Sequence, residues 1–114
     1  MATAGERLKV RAADGVAVID LPSEVDAATE TALRAAYAEA AGADRIIALN
    51  FVGVDYINST GIAIIVGLLA QARTDGHVVK AFGLSDHYRE IFEITRLSDF
   101  MAIFPSESSA LGSR

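Results

Sequence analysis

The sequence predicts one α/β domain with a mixed, mainly parallel five-stranded sheet after an opening hairpin and about four helices. Three observations predict it. Short apolar runs alternate with segments of helical periodicity, which is typical of parallel strands joined by crossover helices. The apolar run at 45–52 fits a central strand that is covered on both faces. Asp14-Gly15 separates two strand-like segments, which is the pattern of a β-hairpin.

The first half of the chain supplies the hairpin and the first helix. Residues 8–11 alternate apolar and polar, and residues 16–21 form the second strand, which Pro22 ends. Asp26 can cap the helix that follows. Its apolar positions recur at helical spacing: Leu33, Ala36, Tyr37 and Ala40. We expect Gly42 to end this helix.

The second helix follows the central strand and a short loop. Asn58 is a good cap for this helix. The helix is expected to run to about Thr74, and Gly76 just beyond it is the residue that ends it. One apolar stripe consists of Ile62, Ile65, Val66 and Leu69, and a second consists of Ile64 and Leu68. With two stripes, this helix should be buried more deeply than the first.

The rest of the chain adds two strands and a third helix. Residues 78–82 form a strand, Ser85 or Asp86 caps the helix, and residues 101–104 form the last strand. The buried face of this helix is expected to carry Tyr88, Ile91 and Phe92. Residues 105–114 are either a short helix or a frayed tail, so the single domain of residues 1–114 has its core at about 7–104.

Composition excludes several classes of function. A chain of 114 residues fits one domain, and its net charge of -5 argues against a nucleic-acid partner. Without cysteine it has no disulfide, thiolate metal site or Cys nucleophile. No apolar run is long enough to cross a bilayer. We expect a cytoplasmic protein without direct membrane contact.

No group of residues predicts catalysis, a metal site or a cofactor. His77 and His87 are the only imidazoles, neither has a ligand partner at metal spacing, and both are expected to be solvated. Gly61 and Gly67 do not form a phosphate-binding loop, because no Gly-Lys-Ser/Thr sequence follows them. Gly67 is expected to allow close helix packing. We therefore predict that the chain is not an enzyme.

Asn58-Ser59-Thr60-Gly61 places two hydroxyls in the first turn of the second helix. Unpaired amide hydrogens and the helix dipole favour a phosphate at such a position by about 0.3–1 kcal/mol. The alternative is that these residues are ordinary caps, with Gly61 tolerated in a frayed first turn. The residues alone leave both interpretations open.

Residues 55–67, DYINSTGIAIIVG, resemble the signature of STAS domains, especially of bacterial anti-sigma factor antagonists. In that family an apolar strand and a short loop lead to Asp-Ser-Ser/Thr-Gly and an apolar helix. Residues 21–26 and 44–51 resemble the segments around the family's first helix and central strand, so the resemblance implies a STAS fold over the whole chain. Two departures are Asn58, where the family has Asp, and Pro22-Ser23, where it has x-Gly.

The resemblance implies a partner-switching role. The unphosphorylated chain would bind an anti-sigma factor of the GHKL serine kinase type and free the sigma factor. The kinase would then end the complex by phosphorylating Ser59, with Thr60 as the competing acceptor. The partner-binding residues that the resemblance implies are Asp26, Asp55, Tyr56, Ile57, Asn58, Ser59, Thr60, Gly61 and Ile62.

Further partners and other roles stay open. A phosphatase and other STAS chains are candidate partners of the same surface. The alternative functions are a scaffold subunit of a stress-signalling complex and a soluble STAS subunit of a transporter.

Overall fold

The computed structural model describes residues 7–112. The strands in this range are β1 Lys9–Ala13, β2 Val16–Asp20, β3 Glu24–Val25, β4 Ile46–Asn50, β5 Tyr56–Ile57, β6 Val78–Phe82 and β7 Ala102–Phe104. The helices are α1 Glu30–Ala43, α2 Ser59–Asp75, α3 Asp86–Ile94 and α4 Glu107–Gly112. Short 3₁₀ helices at Ala27–Thr29 and Leu97–Asp99 precede α1 and β7.

Five strands form the main sheet, in the order β1-β2-β4-β6-β7. β1 and β2 are antiparallel, and the remaining neighbours are parallel. The hairpin turns at Asp14 and Gly15, whose φ angles of 54° and 79° suit a two-residue turn. β4 is the central strand, as its apolar run predicted, and the sheet with its four helices confirms the predicted fold class.

The helices cover the two faces of the sheet unequally. α1, α2 and α3 pack on one face and build the larger core with Ile19, Leu49 and Ala81. On the other face, Ala110 of α4 packs on a smaller cluster that includes Val18 and Phe82. The tail after Pro105 therefore forms a helix that contributes to the core.

The buried face of α2 differs from the predicted stripe. The buried residues are Gly61, Ile64, Ile65, Leu68, Leu69 and Ala72. Val66 is 45% exposed and Ile62 is half-buried, so the prediction was wrong for Val66 and the second stripe is the better buried one. Because α2 carries apolar residues on more than one of its faces, periodicity alone could not identify the face that meets the sheet.

Several element boundaries also differ from the prediction. α1 continues through Gly42 to Ala43, and Asp44 follows it in an extended conformation. Asp26 caps the 3₁₀ turn before α1 rather than α1 itself, since its side chain accepts from the Ala28 N–H. β4 ends at Asn50, so the last two residues of the predicted strand lie in the following turn.

The end of α2 and the start of α3 agree with the prediction. Gly76 ends α2 with a φ of 83°, the left-handed conformation that glycine favours. Ser85 is the cap of α3, because its side chain accepts from the Tyr88 N–H. No helix in the described part of the chain is long and apolar enough to cross a membrane.

A pair of neighbouring substitutions tests the packing of α2. Ile65 is 0% exposed while Val66 is 45% exposed. Ile65→Asp should unfold or aggregate the protein, because an unpaired buried charge costs several kcal/mol against a total stability of about 5–15 kcal/mol. Val66→Asp is the matched control and should melt within a few degrees of wild type. A soluble, cooperatively melting Ile65→Asp variant would refute this packing.

Candidate functional site

The predicted site lies at the carboxyl edge of the sheet, where β2, β4, β6 and β7 end, at the junction of β5 and α2. β5 pairs in parallel with β3, so that Tyr56 lies opposite Glu24 and Ile57 opposite Val25. This second sheet was not predicted, because each of its strands has only two residues. It joins the loop before α2 to the loop before α1.

Asn58 begins α2 as the sequence predicted. Its side-chain Oδ1 accepts from the Gly61 N–H at 2.8 Å, and its own N–H donates to the Val25 carbonyl at 3.3 Å. The side chain thus satisfies one of the amide groups that have no partner within a first helical turn. The cap also ties the start of α2 to β3.

Gly61 is the contact point between α2 and β3. A Cβ atom at this position would collide with the carbonyl oxygen of Val25 and lie 3.0 Å from Ile57 Cγ2. A side chain would therefore push the helix away from the strand. Gly61 is not a residue tolerated in a frayed turn, because the close approach of the two elements requires it.

Tyr88 supports the junction from α3. Its buried hydroxyl accepts from the Ile57 N–H at 2.8 Å and donates to the Ile57 carbonyl at 3.5 Å. Both backbone polar groups of a buried residue thereby have a partner. Sequence analysis placed Tyr88 only in the hydrophobic face of α3, and no local pattern indicated that its hydroxyl would reach β5.

The implied partner-binding residues divide into an exposed and a supporting group. Exposed side chains belong to Asp55, Tyr56, Ser59 and Thr60, while those of Asp26, Asn58 and Ile62 are half-buried. The supporting residues Ile57 and Gly61 are buried. We call the exposed and half-buried group the junction surface. It presents the Ser59 and Thr60 hydroxyls beside acidic, aromatic and apolar side chains.

The two histidines lie in different parts of the fold, His77 after α2 and His87 in the first turn of α3. Within residues 7–112, no three His, Cys, Asp or Glu side chains are grouped to hold a metal. His87 is exposed and packs edge-on against Tyr88. His77 is half-buried, and its Nδ1 lies 3.0 Å from the Arg45 carbonyl. It belongs to the opposite end of α2, away from Ser59.

Comparison with known proteins gives the following relationships. The family model described as STAS domain matches residues 7–110. An anti-sigma-B factor antagonist of Listeria monocytogenes is 36% identical over 58 residues, which are 51% of this chain and 51% of the relative. A relative of the same description from Staphylococcus aureus is 36% identical over 59 residues, 52% of this chain and 55% of its own. The chain therefore spans about half the length of the curated relatives it matches.

Solved structures show the same fold. The Bacillus cell fate determinant SpoIIAA in its phosphorylated form superimposes with a TM-score of 0.70 at 21% identity, over 92% of this chain and 96% of that one. An anti-sigma factor antagonist from Mycobacterium paratuberculosis superimposes with a TM-score of 0.78 at 21% identity, over 97% and 95% of the two chains. At this identity the likeness is one of fold.

Two glycines of α2 provide a direct test of the junction. Gly61→Ala should destabilise the protein by about 1–3 kcal/mol, because the new methyl group collides with backbone rather than with a flexible side chain. Gly67→Ala is the control: contrary to the expected close packing, its Cβ would meet only Arg34 Nη2 at 4.0 Å. It should stabilise the helix by about 0.5–1 kcal/mol. Denaturant unfolding measures both, and equal effects would contradict the junction geometry.

Proposed function

The chain belongs to the STAS domain family, and we propose that it is an anti-sigma factor antagonist controlled by phosphorylation of Ser59. The observation that carries the proposal is the exposed Ser59 hydroxyl in the first turn of a helix whose start is held by β3 and α3. A kinase can reach this hydroxyl without unfolding the core. The curated relatives named anti-sigma-B factor antagonists support the same role.

In the proposed cycle, the unphosphorylated chain binds an anti-sigma factor of the GHKL serine kinase type and so frees the sigma factor. The junction surface provides the contact. The kinase then transfers the γ-phosphate of ATP to Ser59 Oγ: the new O–P bond replaces the hydroxyl O–H bond, ADP leaves, and the hydroxyl proton is released. This chain supplies the acceptor and the binding surface, while catalysis belongs to the kinase.

A phosphate at Ser59 would be tolerated by the fold yet unfavourable to the complex. Asn58 satisfies only the Gly61 N–H, so the earlier amides of the turn and the helix dipole favour a nearby anion. The phosphate adds a charge of about -1.5 to -2 and three oxygens. At an interface centre, a cost of about 2–3 kcal/mol weakens binding about a hundredfold. Asp55 on the same exposed surface adds to the negative charge that a partner would meet.

Asn58 preserves the helix start while changing the charge beside the acceptor. Asp in its place would retain the capping oxygen and add a negative charge. The substitution of the family's Asp by Asn58 should therefore affect the kinase's rate more than the fold. Thr60 is exposed beside Ser59 and stays the competing acceptor.

The proposed switch is a single-domain protein of the cytoplasm, and a phosphatase restores its unphosphorylated form. It makes no contact with nucleic acid and no direct contact with a membrane. Other STAS chains could bind the same surface. A scaffold subunit and a transporter subunit are the alternatives, and they would need no change of affinity on phosphorylation.

Four variants test the switch. The chain and its Ser59→Ala, Ser59→Asp, Thr60→Ala and Asn58→Asp variants are incubated with ATP and each GHKL-type anti-sigma factor encoded in the same genome. Ser59→Ala should bind but resist phosphorylation, and Ser59→Asp should fold but bind about a hundredfold more weakly. Thr60→Ala, the matched control, should be phosphorylated like wild type, and Asn58→Asp should change the rate without changing the melting temperature.

Mass spectrometry locates the phosphate, and titration calorimetry gives the affinities. Equal phosphorylation of Ser59→Ala and wild type would show that the acceptor is a residue other than Ser59. Undiminished binding by both Ser59→Asp and the phosphorylated chain would overturn the switch and favour the scaffold.

A further inference from the structure

Two exposed apolar side chains lie in the segment between β4 and α2. Val52 is 67% exposed and Tyr56 is 54% exposed. Tyr56 is part of the junction surface, whereas Val52 was predicted only as the end of a strand. Both residues are at the carboxyl edge of the sheet, on the segment that leads directly into Ser59. Exposed apolar side chains of this size become favourable contacts when a partner covers them.

Val52 is held in place rather than loosely attached. Gly83, in the turn after β6, has a φ of 81°, and a Cβ there would collide with Val52 Cγ2. The turn can pass beneath Val52 only because this residue is glycine. On the other side, the Val52 N–H donates to Asn50 Oδ1 at 2.9 Å.

Asn50 connects this loop to a charged network on the sheet. Its Nδ2 donates to Asp20 Oδ1 at 2.7 Å. Asp20 also accepts from Arg11 Nε and Nη2, both at 2.8 Å, and these bonds hold the pKa of the Asp20 carboxyl below its usual range. Arg11 further donates to Glu107 of α4 at 3.0 and 3.1 Å.

The amide of Asn50 suits both of its neighbours. It offers a donor to the ionised Asp20 and an acceptor to the Val52 N–H. A carboxylate would face Asp20 with a second negative charge, and an aliphatic side chain would satisfy neither group. Asn50 is therefore the side chain that ties the Val52 backbone to Asp20, while Gly83 leaves room for Val52 on the neighbouring turn.

We propose that Val52 is an apolar anchor of the surface that binds the anti-sigma factor, and that Asn50 is the positioning residue that holds it there. The inference rests on the proposed function and extends the junction surface along the same segment. Acidic Glu24, Asp26 and Asp55 lie on the neighbouring strands and loops. The partner's complementary surface accordingly combines an apolar recess with basic residues. Because the bond to Asn50 and the turn at Gly83 hold the Val52 backbone before binding, little backbone freedom is lost in the complex.

Val52→Ala tests the anchor. Removing two methyl groups from a covered contact should weaken binding of the GHKL-type anti-sigma factor about tenfold. The matched control is Ile94→Ala, since Ile94 is 71% exposed but ends α3 at the opposite edge of the sheet. Its affinity should equal that of wild type. Equal affinities of Val52→Ala and wild type would overturn the anchor.

Asn50→Ala tests the positioning role, with Gln71→Ala as an amide control because Gln71 donates to Asp75 at the far end of α2. In free Asn50→Ala, hydrogen exchange of the Val52 amide should accelerate by about tenfold or more, since its acceptor is lost. Affinity should fall about as far as in Val52→Ala, and the double variant should lose little more. Unchanged Val52 exchange, or fully additive losses, would overturn the role of Asn50.

The outcomes separate this inference from the function on which it rests. If the wild type binds none of the anti-sigma factors, both the proposed function and the anchor role of Val52 are refuted. If the wild type binds and Val52→Ala binds equally well, only the anchor role is refuted. The exchange measurement on the free protein decides the role of Asn50 in shaping the loop without any partner.

Discussion

The candidate site depends on the close approach of α2 to β3 at Gly61. A side chain at this position would occupy the space of the Val25 carbonyl. Glycine therefore allows the first turn of α2 to lie directly against β3. In that arrangement Asn58 can both cap the helix and donate to Val25. Tyr88 then fixes Ile57 from the third helix. Ser59 is therefore presented by backbone that neighbours hold on two sides.

For the proposed switch, it matters that neighbouring elements hold the backbone around Ser59 before a partner binds. A surface that is ordered before binding loses little conformational entropy in the complex, and a phosphate added to it changes charge and shape at one point. Since about 1.4 kcal/mol corresponds to a tenfold change in affinity, a modest repulsion suffices. The first turn of α2 can also accommodate the anion through its unpaired amides. Under this proposal, the free protein needs no rearrangement to pass between the unphosphorylated and phosphorylated forms.

Local sequence patterns predicted the fold and the start of α2, but not the contacts that hold the start of α2 in place. Apolar runs and caps identified the central strand, Asn58 and Ser85, because those signals lie within a few residues of one another. The pairing of β3 with β5 and the reach of Tyr88 to Ile57 join residues far apart in sequence. The same holds for the Asn50–Asp20 contact. Val66 was misplaced because α2 carries apolar residues on more than one face, so that periodicity alone did not select its buried side.

The most direct test of this account places phosphoserine at position 59 and compares the modified and unmodified chains. Amide hydrogen exchange across β3, β5 and α2 and affinity for the GHKL-type anti-sigma factor are measured on the same samples. The account predicts unchanged protection from Gly61 onward together with a loss of affinity of about a hundredfold. Loss of protection along α2, or equal affinity of the two forms, would contradict it.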